Sequence, residues 1–182
     1  MKKSQLIFIL SAMALAALSR LLPHPPNFTA VGAMALFAGA VLERKSLALL
    51  VPLLAYWFSD LILNNAVYGA YYDGFVWFSS NLLWVTMALV GSIFLGRLLK
   101  KQVNFINISA VSLSSATVFY LVTNFGVWTS GQMYPMTFEG LLSCYIAGIP
   151  FYGNQLASTL LYTGVVFTLY HYVRQKQPIQ SV

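Results

Sequence analysis

Long apolar stretches constrain this chain more than any other feature, because each of them must be kept away from water. Six such stretches follow one another along the 182 residues. A helix that crosses a hydrocarbon core of about 30 Å needs roughly 20 apolar residues, and most of the stretches approach that length. They predict six membrane-spanning helices, over residues 5–22, 28–42, 47–63, 75–98, 106–125 and 154–172.

The small number of charges excludes a soluble protein. Charged residues make up 8% of the chain, whereas about a quarter of the residues in a soluble domain are charged. High hydrophobicity also excludes intrinsic disorder. The sequence therefore predicts an all-α polytopic membrane protein with a single integral membrane domain over residues 1–182.

The positions of the basic residues predict the orientation. If the six spans alternate, Arg20 lies on one side of the membrane and nine basic residues lie on the other. These nine are Lys2, Lys3, Arg44, Lys45, Arg97, Lys100, Lys101, Arg174 and Lys176. Basic loops stay in the cytoplasm, so both termini are predicted to be cytoplasmic, in the inner (plasma) membrane. The net charge of +6 is then a topology signal, and no nucleic-acid partner is expected.

Two segments require a decision before the six-span topology can be assigned. The first stretch resembles a signal peptide, but its removal would leave five spans and contradict the loop charges, so we expect it to be retained. The stretch 140–150 is too short to span, and a seventh span would place Arg174 and Lys176 outside. We therefore predict a short interfacial or re-entrant helix there, on the outer face.

The predicted outer connections, 19–27, 64–74 and 126–153, are longer than the joining of helices requires. Such loops often carry function. Their aromatic residues either line a pocket or form a belt at the membrane interface. These residues are Tyr68, Tyr71, Tyr72, Trp77, Trp128, Tyr134, Tyr145 and Tyr152.

Arg20 and Asp60 each end an apolar stretch at the outer side. Facing lipid, each would cost about 2.5–3.5 kcal/mol at the bilayer centre, so we expect them to pair inside the bundle. The pair is either a clamp between helices or an anchor for a polar ligand group, in which Arg20 offers a fork for a carboxylate or phosphate.

Neutral polar residues accompany this pair. His24 and Asn27 belong to a stiff proline-rich segment, and Asn124, Trp128 and Asn154 follow or precede apolar spans. Amides beside aromatic rings suit a small, largely uncharged ligand, although they also join helices to one another.

Cys144 and Tyr145 complete the candidate ligand-binding residues. A thiolate can bind a soft metal or the cobalt of a corrinoid, but a small buried filler is the simpler interpretation. One cysteine and two histidines suggest no metal site, and no cofactor is expected. Without nucleotide-binding, zinc-protease or hydrolase motifs, we expect no enzyme.

Four segments together resemble a known family. They are RLLPHPPNFT at 20–29, FSD at 58–60, TNFGVW at 123–128 and CYIAGIPF at 144–151. They resemble an uncharacterised family of small bacterial six-helix membrane proteins, which is similar to the substrate-binding S components of energy-coupling-factor (ECF) vitamin transporters. The resemblance covers nearly the whole chain.

The resemblance implies a binding and uptake protein for a small, vitamin-like nutrient, held in an outward pocket. It also implies that Ala12 and Ala16, spaced like a helix-contact motif, face an energy-coupling transmembrane subunit that works with ATPases. Passive transport is the other possibility. A structural or assembly subunit of a membrane complex, and an enzyme acting on lipid, remain as alternatives.

Overall fold

The computed structural model describes residues 3–100 and 103–175, and within that part the chain folds into six α-helices. Lys2, Lys101 and Lys176, which helped to predict the topology, lie outside the described residues. The helices are α1 (Lys3–Leu18), α2 (Val31–Val41), α3 (Lys45–Ile62), α4 (Leu82–Gly96), α5 (Phe105–Thr129) and α6 (Phe138–Gln175). Short helical turns extend three of them, over Ser19–Leu21, Leu63–Val67 and Arg97–Lys100.

Four helical segments are long and apolar enough to cross a membrane. The prediction of an all-helical protein with membrane-like helices is therefore confirmed. α1 and α2 are apolar but shorter, and α2 lies in the shortest of the six predicted spans, 28–42. The four long segments are Lys45–Val67, Leu82–Lys100, Phe105–Thr129 and Phe138–Gln175.

The separate outer helix predicted over 140–150 is wrong. α6 runs without a break through this stretch and through the predicted sixth span, with Pro150 inside it. Proline removes one backbone hydrogen bond, but apolar helices tolerate it where neighbouring helices support the backbone. The outer connection predicted over 126–153 consequently shrinks to residues 130–137.

The predicted fourth span begins too early. Residues 75–81 are not helical, although several are large and apolar, and α4 starts at Leu82. The side chain of Asn65 fixes their backbone, because its Nδ2 donates to Val76 O at 2.9 Å and its Oδ1 accepts from Val76 N at 2.7 Å. Trp57 Nε1 also donates to Trp77 O, at 3.1 Å.

α2 lies at the centre of the bundle, where it contacts all five other helices. Residues 31–39 are buried without exception. A glycine on each helix lets the backbones of α2 and α4 touch. Gly39 of α2 lies against the carbonyl of Ile93, and Gly96 of α4 lies against the carbonyl of Leu36. Such close approach is typical of helix pairs within membranes.

Hydroxyl groups form much of the polar part of the interior. Ser115 Oγ donates to Ser92 Oγ at 2.8 Å, and Gln155 Nε2 donates to Thr159 Oγ1 at 3.4 Å. Two other hydroxyls of the described residues, on Ser112 and Thr163, are buried without a hydrogen-bond partner. A buried hydroxyl without a partner costs about 1–3 kcal/mol.

Replacing Thr163 by valine is accordingly expected to maintain or raise the free energy of unfolding, by up to about 1 kcal/mol. Valine keeps the shape and removes an unpaired hydroxyl. The control is Thr159→Val, which leaves Gln155 Nε2 without its acceptor and is expected to lower stability. Thermal unfolding in detergent compares the two variants, and equal losses of stability would contradict the prediction.

Candidate functional site

A cavity of about 400 Å³ lies at one end of the bundle, beside the connections 22–30 and 130–137. Its walls combine polar groups with apolar and aromatic surface, which is the composition typical of small-molecule sites. The polar lining includes Arg20, Asn27, Thr29, Asn81, Thr123, Asn124 and Gln155. The apolar and aromatic lining includes Val31, Tyr56, Val85, Phe119, Val127, Tyr134 and Phe151.

The proline-rich segment forms one edge of the cavity. Its three prolines prevent helix formation, and Asn27 turns the chain with a φ of 60°, a conformation that asparagine adopts more easily than most residues. Asn154 of α6 donates from Nδ2 to Pro26 O at 2.9 Å. This hydrogen bond fastens the segment to α6 and keeps Asn27 at the cavity edge.

Arg20 and Asp60 form the ion pair that the sequence predicts. Arg20 Nη2 lies 3.2 Å from Asp60 Oδ1, and the two side chains are only 12% and 11% exposed. Arg20 Nη1 also donates to Ser59 Oγ and to Tyr56 O, and the guanidinium lies 4.4 Å from the centre of the Tyr56 ring. Asn64 Nδ2 donates to the second carboxylate oxygen at 3.1 Å. The pair therefore joins the end of α1 firmly to α3.

Four carboxamides surround the cavity. Asn27 and Asn81 are exposed at the edge, and their side chains make no hydrogen bond to the described residues. Asn124 and Gln155 lie deeper, and Gln155 is 3% exposed. Asn124 Nδ2 donates to Tyr120 O at 2.8 Å, and its Oδ1 accepts no hydrogen bond from the described residues. These groups can hydrogen-bond a ligand without adding charge.

Gly148 lets α6 approach α5 at the cavity wall. A Cβ at Gly148 would lie 2.6 Å from Asn124 Oδ1, so any side chain there would displace the amide. One turn earlier, the Cys144 thiol donates to Asn124 O at 3.3 Å. Two positions of α6 thus contact the same asparagine.

Four predicted residues line the cavity, namely Arg20, Asn27, Asn124 and Cys144. Asp60 lies behind Arg20 and reaches the cavity only through that pair. Cys144 is 2% exposed and is hydrogen-bonded to the α5 backbone. Its position agrees with a small buried residue that fills space between α5 and α6 and also forms part of the cavity wall.

The other four predicted residues do not line the cavity. His24 is exposed, and its Nδ1 lies 2.9 Å from Pro25 O. Trp128 Nε1 donates to Pro135 O at 3.0 Å, and Tyr145 OH donates to Leu121 O at 2.9 Å. Asn154 binds the proline-rich segment. Trp128, Tyr145 and Asn154 therefore support the cavity by holding its surrounding segments.

The candidate residues from the sequence do not include Asn81, and of the adjacent amides Asn154 and Gln155 they include only Asn154. Gln155 follows Asn154, and neighbouring helical residues point about 100° apart, so only one of the two faces the cavity. Asn81 immediately precedes α4, within the stretch 75–98 that the sequence predicts to span the membrane. The signal that the sequence offered for this site residue was the amide of Asn81 at the actual start of α4.

The outer aromatic residues mostly favour the interface-belt interpretation. Of the eight that were considered, Tyr134 lines the cavity. Tyr68, Tyr71, Tyr72 and Trp77 are exposed. Side chains of this type at the ends of apolar helices are typical of membrane interfaces.

Ala12 and Ala16 line a second, apolar groove of about 350 Å³. Its walls come mainly from α1, α2 and α6, and its residues include Phe8, Met34, Phe37, Tyr162 and Leu169. Both alanines are partly exposed. The small-residue face of α1 is therefore available at the surface of the described bundle.

The described residues form a helical protein whose longer helices are apolar enough to cross a membrane and whose bundle holds a cavity with both polar and apolar walls. The chain belongs to a family of unknown function, DUF6580, whose profile matches residues 1–180. This confirms the predicted membership of an uncharacterised family. No curated protein and no solved structure matches the chain.

Proposed function

We propose that this chain is a membrane-embedded binding and uptake protein for a small organic nutrient, similar to the S components of ECF vitamin transporters. The observation that carries the proposal is the 400 Å³ cavity with its carboxamides. Ligand sites usually measure about 300–1,000 Å³ and combine apolar walls with a few polar groups. The four sequence segments resemble the uncharacterised family, and the likeness to S components is drawn only through that family; three of the segments contribute to the cavity lining.

The proposed orientation places the cavity outside the cell, with six spans and both termini in the cytoplasm of a bacterium. The basic residues at the opposite end of the bundle support this orientation. Lys100 Nζ donates to Leu42 O at 3.4 Å, which brings the basic segments around Arg44 and Arg97 to the same end. Basic residues concentrate on the cytoplasmic side of membrane proteins.

The energy for uptake would come from a coupling transmembrane subunit with ATPases, or transport would be passive. The apolar groove at Ala12 and Ala16 supports a partner, because small residues permit close helix contact. The same groove supports the alternative of a structural or assembly subunit. Stable co-purification with proteins unrelated to transport would favour that alternative.

Native mass spectrometry of the detergent-purified full chain tests the binding function. We expect a small molecule to remain bound to the unchanged protein or to bind from a panel of water-soluble vitamins. Gly148→Leu should abolish binding, because the new side chain displaces the Asn124 amide and fills the cavity. The matched control is Gly153→Ala on the same helix, where no atom lies within 4 Å of the new Cβ.

Retention by Gly153→Ala together with loss in folded Gly148→Leu would place the ligand in this cavity. Equal binding by both variants would place it elsewhere. The proposal would be overturned if the unchanged protein bound no member of the panel and deletion of its gene altered no nutrient requirement.

A further inference from the structure

We infer that the ligand of this cavity is electrically neutral and carries an amide-type group, with both a carbonyl oxygen and an N–H. The inference rests on the proposed binding function and names its ligand class. It decides between the two possibilities that the sequence left open, an anionic group held by Arg20 and a largely uncharged molecule.

Charge balance is the first argument. Arg20 is the one formally charged residue of the described chain that lines the cavity, and Asp60 neutralises it at 3.2 Å. Both side chains are nearly buried. A carboxylate or phosphate entering the cavity would therefore bring a negative charge with no remaining positive partner. Uncompensated charge away from water is strongly unfavourable.

Hydrogen-bond capacity is the second argument. Arg20 donates three hydrogen bonds to Tyr56, Ser59 and Asp60, and a guanidinium has five N–H groups. The remaining N–H groups suit a carbonyl oxygen. Asn124 also offers an acceptor, because its Oδ1 receives no hydrogen bond from the described residues, whereas one N–H of its Nδ2 already donates to Tyr120 O. A ligand that carries both a carbonyl oxygen and an N–H can pair with Arg20 and with the Asn124 oxygen.

The side chain of Gln155 can also hydrogen-bond an amide-type ligand. Its amide is paired with the Thr159 hydroxyl at 3.4 Å, and a hydroxyl can either donate or accept. Gln155 can therefore present either end of its amide to the cavity. A carboxylate offers acceptors alone and leaves the Asn124 oxygen without a donor, whereas an amide, lactam or ureido group can supply one.

Matched pairs of compounds test the ligand class, because the members of each pair differ in one charged group. The pairs are nicotinamide and nicotinate, panthenol and pantothenate, biotinamide and biotin, and riboflavin and its 5′-phosphate. Binding to the detergent-purified full chain is measured by native mass spectrometry and thermal shift. Within the pair that binds best, we expect the neutral member to bind at least about tenfold tighter, which corresponds to 1.4 kcal/mol.

Tighter binding of the anionic member would overturn this inference and leave the binding function standing. Binding of neither member of any pair would overturn this inference, and if deletion of the gene also altered no nutrient requirement, it would overturn the binding function as well. The two failures are therefore distinguishable.

A charge variant sharpens the test. Asp60→Asn keeps the size of the side chain and leaves the Arg20 charge uncompensated, so the preference for the neutral member should fall at least about tenfold, or 1.4 kcal/mol. The control is Asp73→Asn, which removes one negative charge from an exposed residue outside the lining and should leave the preference unchanged. An unchanged preference in folded Asp60→Asn would contradict the charge argument. If that variant does not fold, the comparison within pairs on the unchanged protein decides.

Discussion

Replacing Gly39 by valine is expected to prevent the bundle from packing as described, and Gly96→Val is expected to do the same. A Cβ at Gly39 would collide with the backbone carbonyl of Ile93, and a Cβ at Gly96 would collide with that of Leu36. Backbone atoms cannot rotate away as the end of a side chain can, so α2 and α4 would have to separate. Overpacking of a core costs about 1–3 kcal/mol and sometimes more.

The loss of stability caused by valine at Gly39 or Gly96 should be unusually large because α2 contacts every other helix. Displacing it disturbs the whole interior, including Val31 at the cavity wall. Fluorescence-detected size-exclusion chromatography and thermal unfolding in detergent measure the outcome. We expect aggregation, or an unfolding midpoint far below that of the unchanged protein.

Gly153 and Gly164 provide the matched controls. Both lie within α6, and no atom lies within 4 Å of a Cβ built at either position. Gly153→Ala and Gly164→Ala should leave stability unchanged or raise it by up to about 1 kcal/mol, because alanine is the better helix former. Unaltered stability of Gly39→Val would show that α2 and α4 do not meet at this point.

Much of the fold could be predicted from the sequence because a membrane helix is specified by a local property, the run of apolar residues. Each predicted span overlaps a helix of the structure. The predicted helix boundaries are wrong where the local composition is a poor guide to helix ends. The apolar residues at 75–78 lie outside α4, and the short apolar stretch 140–150 belongs to the same continuous helix, α6, as the predicted sixth span.

The Arg20–Asp60 pair could be predicted because two opposite charges at the same side of a charge-poor bundle have few other partners. The carboxamides could be predicted only in part. Whether Asn154 or Gln155 faces the cavity depends on the rotation of α6 against α2 and α5, and Gln155 lies against Gly32 of α2. That rotation is set by packing between helices distant in sequence, which no local pattern records.

The four-residue spacing of small residues also predicts contacts between helices only in part. Ala35 and Gly39 show the spacing on α2, and Gly39 indeed lies at a backbone contact. Ala12 and Ala16 show the same spacing on α1 but line an open groove. The pattern therefore marks a surface that another helix can approach closely, without saying which helix does so.

Breaking the Arg20–Asp60 pair on either side is expected to lower the free energy of unfolding by about 3 kcal/mol, because each single change leaves a nearly buried charge without its partner. The variants are Arg20→Met, which keeps a similar volume, and Asp60→Leu, which keeps the branching at Cγ but has a larger side chain. Asp60→Leu also removes the acceptor of Asn64 Nδ2, so it should be the more harmful of the two. Unfolding in detergent is followed by temperature or by a denaturing detergent.

The double variant separates the pair from the individual side chains. Because Arg20→Met with Asp60→Leu leaves neither charge buried alone, its loss of stability should be clearly smaller than the sum of the two single losses. Arg174→Met, at an exposed position near the end of α6, is the control for removing a positive charge and should change stability by less than about 0.5 kcal/mol. Additive losses in the double variant would mean that the two charges are solvated independently. The cavity wall would then lack the neutral pair on which the ligand class depends.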